Sequence, residues 1–208
     1  MTEGLLFLFL AYVAGSFPSG LVIGKLFFHT DIRLEGSHNT GATNAYRVLG
    51  KAGGLSVLVV DIAKGLLGVY LGQQAGLAML PDQLELCMIA GGLLAILGHS
   101  CSLFMKFKGG KGVATGLGVI LYLAPHETLI VFIVWCLIVA VTRIVSLGSI
   151  VAAALVPVLM FFFGEPREIV VFGLLAAVFV IVRHRANIIR LIHGNELRVE
   201  RIHKNKEP

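Results

Sequence analysis

The chain has 208 residues, of which 57% are hydrophobic and only 14% are charged, and its mean hydropathy is +0.89. Soluble domains average about 25% charged residues, so this composition excludes a soluble globular class and indicates an all-α integral membrane protein. The net charge of +5 is spread over loops between apolar runs. That distribution favours anionic lipid and anionic substrates as partners and argues against nucleic acid.

Seven apolar runs are predicted to cross the membrane, because a helical span needs about 20 mostly apolar residues and several of the shorter runs can extend into their flanks. They leave no room for a separate soluble domain, so residues 1–208 are predicted to form one membrane domain. The predicted spans are residues 4–28, 54–77, 84–98, 112–124, 128–141, 147–164 and 169–182.

Basic residues alternate between successive loops, which predicts the orientation. The second and fourth loops have no Lys or Arg, and the sixth has Arg167 between two glutamates. We therefore expect the N-terminus outside, and the odd loops and the C-terminus in the cytoplasm. The basic residues of the odd loops and the tail are Arg33, Arg47, Lys51, Lys106, Lys108, Lys111, Arg143, Arg183, Arg185, Arg190, Arg198, Arg201, Lys204 and Lys206.

The first polar patch, residues 36–47, reads G-S-H-N-T-G-A-T-N-A-Y-R. Glycines let backbone N–H groups turn toward one point, and an arginine adds a planar fork that fits phosphate. We predict a phosphate-binding loop, with an ordinary polar surface loop as the alternative. The predicted phosphate-binding residues of this patch are Gly36, Ser37, Asn39, Gly41, Ala42, Thr43, Asn44 and Arg47.

A second glycine-rich patch, residues 107–115, reads F-K-G-G-K-G-V-A-T. It is not a Walker A loop, since glycine rather than Ser or Thr follows the Gly110-Lys111 pair. Gly109, Gly110 and Lys111 are nevertheless predicted to bind phosphate near the start of a helix, where an anion is favoured. The alternative is a cluster that only reflects the positive-inside rule.

The third patch lies at the end of the last span, where His184, Asn187 and Arg190 follow an i, i+3, i+6 spacing on one helix face. A basic stretch that rests on anionic headgroups is the alternative. Within the second span, Asp61 and Lys64 are three residues apart and should pair or line a polar cavity. The sequence leaves open whether that pair is structural or belongs to the site.

The three cysteines are odd in number, and Cys87 and Cys136 lie in apolar runs. We predict neither a disulfide framework nor a metal site, and no cofactor.

Together these blocks resemble the bacterial acyl-phosphate:glycerol-3-phosphate acyltransferase family, which usually has glycine where this chain has His38. The resemblance covers nearly the whole chain. The blocks, in order, are residues 15–20 (G-S-F-P-S-G), 36–47, 61–65 (D-x-x-K-G), 107–115, 145–149 (V-S-L-G-S) and 184–191 (H-R-x-N-I-x-R-L).

The resemblance implies a seven-span enzyme of the bacterial inner membrane. It would move an acyl chain from acyl phosphate to the 1-hydroxyl of sn-glycerol 3-phosphate, giving lysophosphatidic acid and phosphate in phospholipid synthesis. It also implies that the site faces the cytoplasm and that the following residues line it: Ser37, Arg47, Lys111, Ser146, His184 and Asn187.

None of the seven histidines is followed five positions later by aspartate, so the H-x-x-x-x-D signature of many glycerolipid acyltransferases is absent. Either His184 or a substrate phosphate oxygen is left to accept the hydroxyl proton. Two other classes of function stay open from the residues alone. One is a transporter or channel for a phosphorylated solute, and the other is a headgroup-binding scaffold without chemistry.

Overall fold

The computed structural model describes residues 1–199, and every regular element in that range is a helix. Two single-turn 3-10 helices, Pro81–Gln83 and Leu103–Met105, flank the fourth α-helix. The α-helices are α1 (Thr2–Ser16), α2 (Ser19–Phe28), α3 (Ala42–Met79), α4 (Leu84–Ser100), α5 (Val113–Leu123), α6 (Pro125–Thr142), α7 (Val145–Phe163), α8 (Arg167–Arg183) and α9 (Arg185–Ile192).

Within the described range, four helical segments are long and apolar enough to cross a membrane: α3, the segment Pro81–Met105 that contains α4, α6 and α7. The bent pairs α1–α2 and α8–α9 raise this number to six if each pair is one span, and α5 is a shorter apolar helix. The chain is therefore a multi-pass membrane protein. Seven spans and the orientation stay predictions, and Arg201, Lys204 and Lys206 lie outside the described residues.

The structure departs locally from the predicted elements. Residues 4–28, predicted as one span, form two helices, because Pro18 separates α1 from α2, which are bent by 47°. Residues 42–51 were assigned to a loop but form the first turns of α3, which has a kink at Gly50 (φ 82°, ψ −169°) that a side chain would strain. Residues 125–127 were predicted as a tight turn between the fourth and fifth spans, but Pro125 lies in the first turn of α6, where its missing N–H costs nothing, so the connection after α5 is reduced to Ala124.

Close packing of α3 on α4 depends on small residues. A Cβ atom built on Gly72 would lie 2.2 Å from the carbonyl oxygen of Cys87, and one built on Gly91 would lie 2.3 Å from that of Gly68. The two backbones therefore approach to a distance that no larger residue permits. α3 in turn packs against α1, α4 and α5, and this brings the N-terminal ends of α3 and α5 together.

The main apolar core lies between α3, α4, α5, α6, α7 and α8 and includes Val69, Ile89, Val119, Val131, Met160 and Phe172. At one end of this group of helices the core gives way to a cavity, which extends inward from the polar patches.

Candidate active site

A cavity of about 320 Å³ gathers residues from all three polar patches and from the start of α7. Of the site residues predicted from the sequence, only Gly36, Gly109 and Gly110 are absent from its lining. Those that line the cavity are Ser37, Asn39, Gly41, Ala42, Thr43, Asn44, Arg47, Lys111, Ser146, His184 and Asn187.

The N-terminal ends of three helices meet at this cavity: α3, α5 and α7 all contribute first-turn residues to its wall. In the described residues no side chain caps any of these three ends. The first N–H groups of a helix have no partner within the helix, and the helix dipole adds positive potential at the same end. Three uncapped N-termini around one cavity therefore favour an anion there.

The loop before α3 has a shape that depends on Asn44, which is 1% exposed. Its amide oxygen accepts a hydrogen bond from the backbone N–H of Ser37 at 2.8 Å, and its amide nitrogen contacts the carbonyl oxygens of Ile32 and Asn39. Asn44 lines the cavity, but its side chain is hydrogen-bonded within its own loop. It therefore shapes the site by fixing that loop.

Positive φ angles occur at two residues of the same loop, Gly36 (φ 64°) and His38 (φ 56°). Glycine adopts a left-handed conformation at a lower cost in free energy than histidine does. This gives a physical reason for the glycine that the family usually has at this position. The imidazole Nδ1 of His38 lies 3.0 Å from the carbonyl oxygen of Arg33. His38 is thus held by its own loop.

Cationic side chains surround the polar end of the cavity. Arg47 is 6% exposed and donates to the carbonyl oxygens of Leu197 and Arg198 at 3.1 and 3.2 Å. The ammonium of Lys111 lies 2.5 Å from Oδ1 of Asn187. Arg190, on α9, also lines the cavity.

One carboxylate, Glu196, lies among these cations, and it was not identified from the sequence. Its Oε1 accepts hydrogen bonds from Ser146 at 2.8 Å and from Asn187 at 2.5 Å, and its Oε2 is 2.7 Å from Nε of Arg190. Burial alone would raise the pKa of Glu196, but hydrogen bonds from Asn187, Arg190 and Ser146 lower it below its ordinary value. A carboxylate held by hydrogen bonds from Ser146, Asn187 and Arg190 indicates that this part of the cavity stabilises anions.

Sequence reasoning missed Glu196 because it concentrated on cations and glycines. A carboxylate at the end of a patch rich in Arg and His was the signal available. It lies 50 residues from Ser146 along the chain, so only the fold shows that the two meet.

His184 lies at the junction of α8 and α9 and is 3% exposed. Its Nδ1 is 2.7 Å from the carbonyl oxygen of Val180. A carbonyl can only accept, so Nδ1 carries the proton and Nε2 of the neutral ring is an acceptor. His184 also lines the cavity, so it can accept a hydrogen bond from a hydroxyl group bound there.

Gly109 and Gly110 do not line the cavity but lead directly to Lys111, which does. The guanidinium of Arg183 donates to the carbonyl oxygens of Gly109 and Gly110 at 3.3 and 2.8 Å. The backbone of these two residues is thus held from one side by Arg183, and Lys111 follows directly. No cluster of His, Cys, Asp and Glu suited to a metal ion occurs among residues 1–199.

Comparison with known proteins agrees with this arrangement. Residues 5–194 match the family model described as glycerol-3-phosphate acyltransferase.

This chain belongs to the glycerol-3-phosphate acyltransferase family.

Among its relatives in this family, the glycerol-3-phosphate acyltransferase of Trichlorobacter lovleyi is 47% identical over 94% of this chain and 97% of its own length. That of Fusobacterium nucleatum is 45% identical over 91% of this chain and 95% of its own length.

Two solved structures share the fold. Both are of PlsY (YgiH), an integral membrane glycerol 3-phosphate acyltransferase. Its glycerol 3-phosphate form has a TM-score of 0.85 and 38% identity, and covers 95% of this chain and 96% of that one. Its lysophosphatidic acid form has a TM-score of 0.82 and 37% identity, and covers 94% of each chain.

The acyltransferase family handles acyl chains, and the deeper walls of the cavity are apolar. α4, α5, α6, α7 and α8 all contribute to them. The lining residues include Ile96, Ile120, Val131, Trp135, Val156 and Phe172. One cavity therefore combines an anion-binding end with a region that suits a hydrocarbon chain.

The Lys111 ammonium gives this site a pH dependence. Burial lowers the pKa of Lys111 to about 8; Glu196 opposes this change, and Arg190, Arg47 and Arg183 add to it. The side chain is thus a cation below pH 8 and loses its charge above it. We expect the affinity for glycerol 3-phosphate, the ester that gives the family its name, to fall above pH 8, by up to about tenfold per pH unit if one bound proton is required. Calorimetric titration between pH 6.5 and 9.5 measures this.

Lys111→Arg is the matched control, since arginine keeps its charge throughout this range. Its affinity should stay flat where that of the wild type falls. The same decline in both proteins would assign the titration to another group.

Proposed function

We propose that this protein transfers an acyl chain from an acyl phosphate to the 1-hydroxyl of sn-glycerol 3-phosphate. The hydroxyl oxygen attacks the carbonyl carbon, the bond from that carbon to the phosphate oxygen breaks, and the products are lysophosphatidic acid and inorganic phosphate. One observation carries the proposal: a single cavity combines three uncapped helix N-termini and three cations with apolar walls.

Both substrates carry phosphate, and the site offers two kinds of group for it. The first turn of α3, which follows Gly41, presents backbone N–H groups, while Arg47, Lys111 and Arg190 supply full charges. Charge-assisted hydrogen bonds of this kind are stronger than neutral ones, and in a site away from bulk water they are weakly screened. An acyl phosphate is already activated, so positioning and charge stabilisation are the main requirements.

For the hydroxyl proton, we favour a phosphate oxygen of the substrate as the acceptor. A phosphate monoester has a second pKa near 6 and is brought to the site by the reaction itself. His184, with its Nε2 as an acceptor, and Asn187 then orient the attacking hydroxyl by hydrogen bonds. His184 as the base is the alternative that the geometry also allows.

Membership in an enzyme family weakens the transporter and scaffold alternatives. The placement of the polar residues weakens the transporter further, because transporters hold substrate near the membrane midplane between repeats. Here the site is built at the ends of α3, α5, α7 and α8. We place it at the cytoplasmic face of the bacterial inner membrane, where soluble glycerol 3-phosphate is available.

The first prediction from this proposal concerns the donor. Purified protein offered acyl phosphate, acyl-CoA or acyl-carrier protein separately should turn over only with acyl phosphate, because the sequence blocks resemble the acyl-phosphate family and the cations of the cavity suit a phosphate-bearing donor. Phosphate release that depends on glycerol 3-phosphate is the measurement. Comparable rates with acyl-CoA would overturn the donor assignment and leave membership in the family untouched.

The second concerns the proton acceptor. His184→Gln keeps a hydrogen-bonding side chain and removes the imidazole base. Because losing a general base typically costs 10²–10⁴-fold, we expect kcat to fall by less than about a hundredfold if phosphate accepts the proton. The rise in rate near the phosphate pKa should persist. His126→Gln, exposed in the first turn of α6, is the control. Complete loss of turnover in a His184→Gln protein that still binds glycerol 3-phosphate would make His184 the base.

The third concerns orientation. In a variant with Cys87, Cys101 and Cys136 replaced by alanine, single cysteines are placed at the exposed positions Asp82 and Lys108. A membrane-impermeant maleimide applied to cells with an intact inner membrane should label Asp82→Cys. It should label Lys108→Cys only after permeabilisation, and the reverse pattern would place the site outside.

A further inference from the structure

Two charged residues of α3 lie within the bundle beside the site and take no part in the proposed reaction. Asp61 is 1% exposed and Lys64 is 5% exposed, and Nζ of Lys64 lies 2.6 Å from Oδ1 of Asp61. The same ammonium donates to the carbonyl oxygen of Phe17 at 2.6 Å, and Ser19 donates to Oδ1 of Asp61 at 2.5 Å. The pair therefore satisfies backbone and side-chain groups exposed by the break between α1 and α2.

A third ionisable residue joins this pair from α4. Nδ1 of His99 lies 3.6 Å from Oδ1 of Asp61, and His99 is 8% exposed. Oδ2 of Asp61 is buried and has no hydrogen-bond partner among the described residues. Both Asp61 and His99 line the cavity that holds Arg47 and Lys111. If Asp61 served only as the counter-ion of Lys64, it would not need to contact His99. The contact with His99 therefore points to a second role for Asp61.

His99 supports the glycine-rich segment that leads to Lys111. The carbonyl oxygen of His99 accepts a hydrogen bond from the N–H of Gly110 at 3.1 Å. A Cβ atom on Gly110 would lie 2.1 Å from Nε2 of the imidazole, and one on Gly109 would lie 2.1 Å from the His99 carbonyl oxygen. The segment therefore rests directly on the ring and on the backbone of His99.

Arg183 binds the two carbonyl groups of this segment, as described above, so Gly109 and Gly110 are held both by His99 and by Arg183. Lys111 comes next, and Gly112 turns the chain into α5 with a φ of 81°. The ring and backbone of His99 thus lie directly against the segment that precedes Lys111.

We infer that Asp61 and His99 are positioning residues: Asp61 fixes the ring of His99, and that ring sets the place of Lys111 in the phosphate site. The inference rests on the proposed role of Lys111 as a phosphate contact. It gives the Asp61–Lys64 pair a function beyond the stability of the bundle.

A double-mutant cycle tests this with binding rather than turnover, so that inactive variants remain informative. The dissociation constant for glycerol 3-phosphate is measured by calorimetry for the wild type, His99→Gln, Lys111→Ala and the double variant. We expect His99→Gln to weaken binding roughly three- to tenfold in the wild type, because small misplacements of a contact are costly. In the Lys111→Ala background it should add less than about twofold. His126→Gln should change nothing.

Two outcomes of the double-mutant cycle would contradict the inference. If His99→Gln weakens binding by the same factor in both backgrounds, it does not act through Lys111, and the positioning role is overturned while the phosphate contact stands. If Lys111→Ala binds as tightly as the wild type, the proposed contact itself is wrong and the inference falls with it.

A charge-balanced pair separates positioning from folding. Asp61→Asn alone leaves the buried ammonium of Lys64 without its counter-ion, which lowers thermal stability. Asp61→Asn/Lys64→Gln removes both charges and should regain stability. Its binding should still be weakened roughly three- to tenfold, since His99 has lost its anionic neighbour. Recovery of both stability and binding in the double variant would show that Asp61 serves only as the counter-ion of Lys64.

Discussion

Positive potential gathered at one end of a helical bundle is the constraint on which the rest of this site depends. The N-termini of α3, α5 and α7 and the cations Arg47, Lys111 and Arg190 all meet the same cavity. Such a concentration of charge beside a membrane is costly unless anions compensate it. Glu196 supplies one compensating charge, and the substrates of the proposed reaction bring the others. The tail that carries Glu196 is held by the same cations that would hold phosphate.

The cavity also shows why this fold suits the chemistry. Its deeper walls are lined by apolar side chains, so a hydrocarbon chain can lie between them and leave its reactive end at the cations. An activated acyl donor and a small phosphate ester need to be held close together with their charges neutralised. Rigid helix ends provide that arrangement better than mobile loops would, because their N–H groups are fixed in direction before substrate binds.

Buried polar groups outside the cavity are also connected to it. Lys64 donates to the carbonyl oxygen of Phe17 at the break beside Pro18 and pairs with Asp61, and Asp61 contacts His99 beneath the Gly109–Gly110 segment. A polar network in a membrane protein is expensive and tends to have a functional reason. This one links the first helices of the chain to the segment that presents Lys111.

The class of protein, the positions of the apolar segments and the three polar patches follow from the sequence, because hydropathy and residue chemistry are local properties.

Several features follow only from packing. The break at Pro18, the helical start of α3 at Ala42, the internal use of Asn44 and the contact of Glu196 with Ser146 all depend on neighbours that are distant along the chain or on the backbone conformation. The same is true of His99 and Asp61, which stand 38 positions apart in sequence and meet because glycines let α3 and α4 approach closely. Composition determined which residue types were available for the site. Tertiary structure decided which of them meet, since a contact between distant residues depends on how the helices pack and not on the spacing of any single segment.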